Sequence, residues 1–376
     1  MHLPGANAAF AKLFFRRVQP DRKVPSPTDG NDEMAVSDLR RRLLANETIL
    51  CGGVWDSLSA IIEERAGLDA VKLGSSQLAA SVGLPDIGLL SAAETRDRIF
   101  SITDHIEIPL MADFESGYGS ERDIASAVHW AHEFERAGAA AIHIDDYGDD
   151  KCPWLPPFIP LLMSAEGIAD KIKAICDRRR SEDFLVMARS GATSSIACAD
   201  KEAAFEESLR RFHLWKEAGA DIIWPRVFTE EHLARARAEL PGVLSQSIAG
   251  KKAQGRVGAE GRAEPSYNAF EYTDRGYKLL TVGATFQTVM MQALSTAARK
   301  YRESGDCNAF AEMSMPQRSA ARVTLPASRQ PRNRRRVTQS GGDGMIEAAT
   351  APARSASAWR RHCRPTARHR PATSRR

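Results

Sequence analysis

Four times along the chain a charged helical end meets one glycine and then a β-rich apolar run. The segments are ERAGLDAVKLG (64–74), ERAGAAAIHID (135–145), KEAGADIIWPR (216–226) and TDRGYKLLTVG (273–283). Gly67, Gly138, Gly219 and Gly276 stand where a helix stops at least cost, in the left-handed conformation that a Cβ resists. A strand begins within one or two residues. The joint is therefore helix to strand, as in βαβ units around a parallel sheet. Extending the pattern gives eight candidate strands, about 49–54, 69–73, 108–113, 139–145, 184–189, 220–225, 242–246 and 278–282. Helical patterns such as DSLSAIIEERAG and ERDIASAVHWAHEFERAG lie between them. Ser91 with Glu94, and Ser120 with Asp123, read as capping boxes that open two of these helices. Eight β/α units in about 260 residues predict a (β/α)8 barrel over 38–305. The structural rival is a doubly wound open sheet, but no GxGxxG follows the first strand.

Composition matters mainly because it divides the chain. The net charge is +4, yet residues 316–376 hold fifteen Arg, no Lys and two acids, about +13, which leaves the rest at about −9. Periodicity stops near 306, and the Arg-, Ala-, Pro- and Ser-rich segment 306–376 is expected to be disordered. Such a tail can contact phosphates. No recognised module or interleaved aromatics accompany it, so it reads as solvated and nucleic acid is not an expected partner. Residues 1–37 read as a flexible leader rather than a targeting segment. Six scattered cysteines show no CxxC or metal spacing, which fits a reducing cytoplasm. No apolar run approaches the roughly 18–20 residues that span a bilayer.

The chemistry gathers at the C-terminal strand ends, which face the active site in such a barrel. These ends read Trp55 and Asp56; Gly74, Ser75 and Ser76; Asp113 and Glu115; Asp145 and Asp146; Arg189; Arg226; and Gln246. In an extended chain Asp113 and Glu115, two apart, point the same way. A pair of like charges aimed together needs a cation or a substrate between them. The oxygen-rich set suits a hard cation, Mg2+ or Mn2+, held partly through water. The arginines suit a carboxylate substrate. No histidine pair has metal spacing, which disfavours a zinc hydrolase. His143 is expected to pack behind the barrel, and Trp55 to floor the pocket.

The stretches GGVWDSLSAIIEERAG, LGSSQLAASVGLPDIG, MADFESGYG, AAAIHIDD, FLVMARSGA and EAGADIIWPR, in this order, resemble the isocitrate lyase/phosphoenolpyruvate mutase superfamily. The resemblance implies an α/β barrel, usually tetrameric, with a C-terminal helix swapped between subunits. It implies Mg2+ and an enolate formed as a C–C or P–C bond is made or broken. By motif, Asp113 matches the acid closest to the metal and Glu115 the second acid. Asp145 stands where the family has Glu, and Asp86, in GLPD, matches an acid near the metal waters. The amides at Ser75 and Ser76, after Gly74, match those that hold the substrate carboxylate, and Arg189 matches the substrate-binding arginine.

The chain departs from the family pattern in several places. Glu115 replaces Asp, and Asp145 replaces Glu. In the gating loop, GDDKCPWLPPF, Lys151 keeps its place, Pro153 occupies the catalytic Cys position and Cys152 falls one residue early. The mutase K-x-N-S is missing. The family's R-T-D-A becomes Arg189-Ser190-Gly191-Ala192, and Arg226 replaces a common Glu. The resemblance implies a Mg2+-dependent carbon–carbon lyase acting on a small 2-hydroxy or 2-oxo dicarboxylate, with Lys151 and Cys152 handling the proton. The alternatives are a phosphonomutase and a barrel that has lost catalysis and serves binding.

Overall fold

A computed structural model describes residues 31–148, 162–192, 200–227, 229–248 and 267–314. All lie within one unit of the chain, Met1–Pro326. Eight strands, β1 (Ile49–Val54), β2 (Ala70–Leu73), β3 (Leu110–Asp113), β4 (Ala141–Asp145), β5 (Leu185–Arg189), β6 (Ile222–Trp224), β7 (Val243–Ser247) and β8 (Leu279–Thr281), close into a barrel in chain order. Every neighbouring pair is parallel, and β8 closes on β1 through Ile49↔Leu279 and Cys51↔Thr281. The predicted barrel is the observed one. The four joint glycines take φ of +90°, +93°, +109° and +87°, as the helix-to-strand reading requires.

The first two helices, α1 (Asn31–Leu44) and α2 (Ser57–Arg65), precede and follow β1. Next come α3 (Ser75–Ser81) and α4 (Ala92–Thr103) between β2 and β3, α5 (Ile124–Arg136) after β3 and α6 (Ala165–Arg178) after β4. The remainder are α7 (Lys201–Glu217), α8 (Glu230–Glu239), α9 (Ala269–Asp274) and α10 (Thr285–Ser304). The Ser91–Glu94 box caps α4: Ser91 N donates to Glu94 Oε2 at 2.8 Å and Glu94 N donates to Ser91 Oγ at 3.3 Å. The Ser120–Asp123 box does not form. Asp123 is itself the cap of α5, accepting from Ser126 N at 2.9 Å, so the helix starts a turn later than expected.

Strand alternation sorts the side chains into two layers. Val71, Leu73, Ile142, Ile144 and Val186 point outward and pack with helix residues such as Phe134, Phe205 and Trp215. Ile49, Met111, Ala141, Leu185, Met187 and Leu279 point inward at the base, which Leu39 and Leu43 of α1 plug. The described residues reach past both sequence boundaries. Helix α1 begins at Asn31, inside the expected leader. Past α10, Gly305 turns left-handed (φ +67°) and Asp306 caps a 3-10 helix, Cys307–Met313, beyond the expected end at 305. The rest of the basic tail lies outside the described residues.

Candidate active site

The end of β3 builds the centre of the mouth. Asp113 Oδ2 accepts from both the amide and the hydroxyl of Ser75, each at 3.2 Å, and Oδ1 accepts from Glu115 N at 3.4 Å. Several donors to one carboxylate fix its direction. Past Asp113 the chain does not stay extended. Glu115 and Tyr118 adopt left-handed backbone, φ +51° each, so the two-apart rule fails there. The turn is over-determined: Asp145 N donates to Glu115 O at 2.8 Å, and the buried Lys171 ammonium of α6 donates to Ser116 O at 2.7 Å and Gly119 O at 3.1 Å. Tyr118 is pinned by its hydroxyl on Thr95 Oγ1 (3.3 Å) and by Phe114 beneath it, and burial pushes its phenol up.

A pocket opens beside this turn, and Ser75, Asp86, Asp113, Glu115 and Tyr118 line it together with Gly74. Three of the four expected metal-shell acids thus line one pocket. Asp145 sits elsewhere: it is 1% exposed and accepts from Arg189 Nη2 at 2.7 Å. Arg189 is in turn flanked by the rings of Tyr147 (5.4 Å) and Trp224 (5.1 Å), and the acids around it, Asp145 foremost, outweigh burial and raise its pKa. Among the described residues no three His, Cys, Asp or Glu side chains form a metal cage. The donor set still fits Mg2+, which is commonly bound through one or two carboxylates with water filling the remaining positions. Asp113 is the fixed carboxylate, and Glu115 and Asp86 share its cavity.

The other expected residues that the structure describes do not line this pocket. Ser76 is exposed, and its hydroxyl lies 3.5 Å from Gln77 Oε1. Trp55 is buried at the end of β1, its amide on Ser59 Oγ and its carbonyl on Arg98, and is not among the lining residues; Asp56 caps α2. Asp146 points away from the mouth, alternating with Asp145 as strand geometry demands. It is fully buried and accepts from Ser190 Oγ (2.7 Å), Gly191 N (2.6 Å) and Arg211 Nη1 (3.0 Å), which ties β4 to β5. Burial raises its pKa more than these partners lower it. Gln246 accepts from Trp224 Nε1 at 3.2 Å. Arg226 is half-buried two residues past β6. Gly191, where the family carries Asp, faces Tyr147: a Cβ there would fall 2.4 Å from Tyr147 Cε1. Lys151, Cys152 and Pro153 lie outside the described residues.

Two functional candidates escaped the sequence reading. His143 does not pack behind the barrel. It is two residues before Asp145, hence on the same face, and sits buried inside with Nδ1 3.6 Å from Asp113 Oδ1. Lys72, the charged residue of β2, reaches it from across the interior, Nζ 3.0 Å from His143 Nδ1. Burial lowers the Lys72 pKa and Asp113 draws it back. The signal for Lys72 was its phase: it is two residues before Gly74 in an otherwise apolar strand.

A closed parallel barrel with acids at the C-terminal ends of its strands has the build of a barrel enzyme. Comparison with known proteins supplies the family. The family model for phosphoenolpyruvate phosphomutase matches residues 39–302, and the chain belongs to that family, within the isocitrate lyase/phosphoenolpyruvate mutase superfamily. It is 30% identical over 271 residues to a 2-methylisocitrate lyase of Aeropyrum pernix, covering 71% of this chain and 80% of that protein. Among solved structures, 2,3-dimethylmalate lyase superposes with a TM-score of 0.65 at 26% identity, covering 77% of this chain and 91% of that one. A phosphonopyruvate hydrolase solved with oxalate and Mg++ shares the fold (TM-score 0.64, 21% identity, 78% and 95% covered).

Proposed function

We propose that the chain is a Mg2+-dependent carbon–carbon lyase that cleaves a 2-hydroxy or 2-oxo dicarboxylate through an enolate. The observation that carries this reading is the one pocket that Asp86, Asp113 and Glu115 all line, with Asp113 oriented by Ser75. Asp113 would hold the cation directly, with Glu115 and Asp86 acting through water. When bound, the cation supplies positive charge facing the oxygen that becomes negative as the bond breaks. The chain's own residues do the rest. The Ser75 amide and hydroxyl fix Asp113, the pinned turn at 115–119 holds Glu115, and Arg189 presents its guanidinium to a carboxylate. Lys151 and Cys152, which follow β4 in the sequence, are the proposed proton handlers. EDTA should abolish turnover in a screen of such acids and Mg2+ should restore it; full activity in metal-free buffer overturns the reading.

The phosphomutase description of the matching family favours a second reading, phosphonomutase. Phosphorus NMR with phosphoenolpyruvate separates the two, since a lyase yields no phosphonate resonance. A degenerate binding barrel is the third reading, favoured by the Arg189–Asp145 ion pair, and measurable Mg2+ affinity counts against it.

The proposed assembly is a homotetramer in the cytoplasm with α10 exchanged between subunits. Among the described residues α10 buries only Gln287, while Val289, Met291, Leu294 and Tyr301 are 62%, 53%, 66% and 52% exposed. Phe286, Met290, Leu294 and Tyr301, 37%, 41%, 66% and 52% exposed, share one side of the helix, and such a face suits a partner surface. Sedimentation equilibrium should return four times the chain mass of 41.3 kDa.

A further inference from the structure

A lysine in a buried strand is costly unless its ammonium finds partners. All four residues of β2 are buried, Lys72 among them. Its side chain leaves β2 and ends against Trp224 on β6, the strand opposite in an eight-strand ring, with Nζ 4.8 Å from the ring centre. An ammonium has three N–H donors. Among the described residues Lys72 makes one hydrogen bond, to His143 Nδ1.

Arg189 approaches the same indole at 5.1 Å. One of its donors, Nη2, goes to Asp145, while its buried Nε has no acceptor within reach among the described residues. The ring they share is fixed by the Trp224–Gln246 hydrogen bond. Two cations therefore converge on one ring with N–H donors to spare, and each raises the energy of the other. An anionic oxygen placed between them relieves both and fills the donors. It also acts on Lys72 in the same direction as Asp113, favouring the ammonium.

We infer that Lys72, beside Arg189 and over Trp224, forms an anion subsite that receives a carboxylate of the substrate and gives the site a preference for dicarboxylates over monocarboxylates. Asp113, whose Oδ1 lies 3.6 Å from the His143 that Lys72 contacts, would hold the cation end of the same molecule. The inference rests on the lyase reading for the identity of the site and deepens it by naming what recognises the second carboxylate.

Titration calorimetry on the full chain tests it, with oxalate, malonate and succinate against the carbon-matched acetate, propionate and butyrate, in Mg2+ and again in EDTA. The wild type should bind at least one dicarboxylate about tenfold tighter than its match. Lys72→Met, similar in length but uncharged, should remove most of that preference while leaving monocarboxylate affinity unchanged, and Lys72→Arg should keep part of it. The inference is overturned if the wild type shows no preference, if Lys72→Met leaves the preference intact, or if it weakens both members of a pair equally. A preference that persists in EDTA and is lost in Lys72→Met upholds the subsite even where the lyase reading fails. Mg2+-dependent turnover with the preference untouched in Lys72→Met removes the subsite and spares the lyase.

Discussion

The lower and upper halves of the barrel interior are built by the same strands in the same alternation, yet they share almost no chemistry. At the base Ile49, Met111, Leu185 and Leu279 fill the space between strands, and Leu39 and Leu43 seal it. Two to four residues further along β3, β4, β5 and β6 the inward positions carry Asp113, His143, Asp145, Arg189 and Trp224, with Lys72 reaching up among them. Apolar burial stabilises by roughly 25 cal/mol per Å², whereas each buried charge costs energy that its partners must offset. The lower half accounts for the closed barrel, and the upper half accounts for its use. Substitutions in the two halves should therefore separate cleanly.

The largest effect is expected at Asp113. Asp113→Asn keeps the shape and can still accept from Ser75, but it removes the fixed negative charge. Turnover on any acid accepted in the metal-dependent screen should fall by about 10²- to 10³-fold, and Mg2+ affinity by calorimetry should fall with it, while the melting temperature holds. Activity within tenfold of the wild type would show that Asp113 is a strand-end acid without a catalytic duty. The reverse pattern belongs to the base. Leu279 is fully buried there, and Leu279→Ala should cost about 2–5 kcal/mol in urea unfolding while Mg2+ affinity stays unchanged. A matching loss of Mg2+ affinity would mean that the halves are mechanically coupled.

The same division explains what could be read from the chain. The barrel was legible because the four glycine joints repeat a local rule, and all eight strands fall within two residues of their expected bounds. Asp113 and Ser75 were legible because their motif neighbours lie close in sequence. Glu115 reached the expected cavity by an unexpected route, since its left-handed backbone is imposed by Lys171 and Asp145, residues 56 and 30 positions away. His143 was misplaced although period-two alternation puts it on the face of Asp145. Lys72 was passed over because its partners, His143 and Trp224, come from two other strands. Pairings across the barrel are the part that a linear pattern does not carry.

Glu63 tests the comparison from outside the barrel. It sits on α2 facing β1, 6% exposed, with neither carboxyl oxygen hydrogen-bonded among the described residues. A Cβ on Gly52 would fall 1.8 Å from its Oε2, so the strand gives way to it there. The charged groups of the mouth have partners nearby, whereas Glu63 has burial alone, which pushes its carboxyl from the ordinary 4.5 up to about 8. The folded chain thus keeps a proton that the unfolded chain releases above about pH 4.5. Stability should decline between about pH 4.5 and 8, by at most about 1.4 kcal/mol per pH unit from this group, and then level off. Glu63→Gln removes the titration. Its melting temperature should match the wild type's near pH 4.5 and exceed it by a few degrees near pH 9, while Mg2+ affinity stays the same at both. Parallel curves for the two proteins would mean that the carboxyl finds water or a partner, and that an unpaired acid is no more tolerated behind this sheet than in front of it.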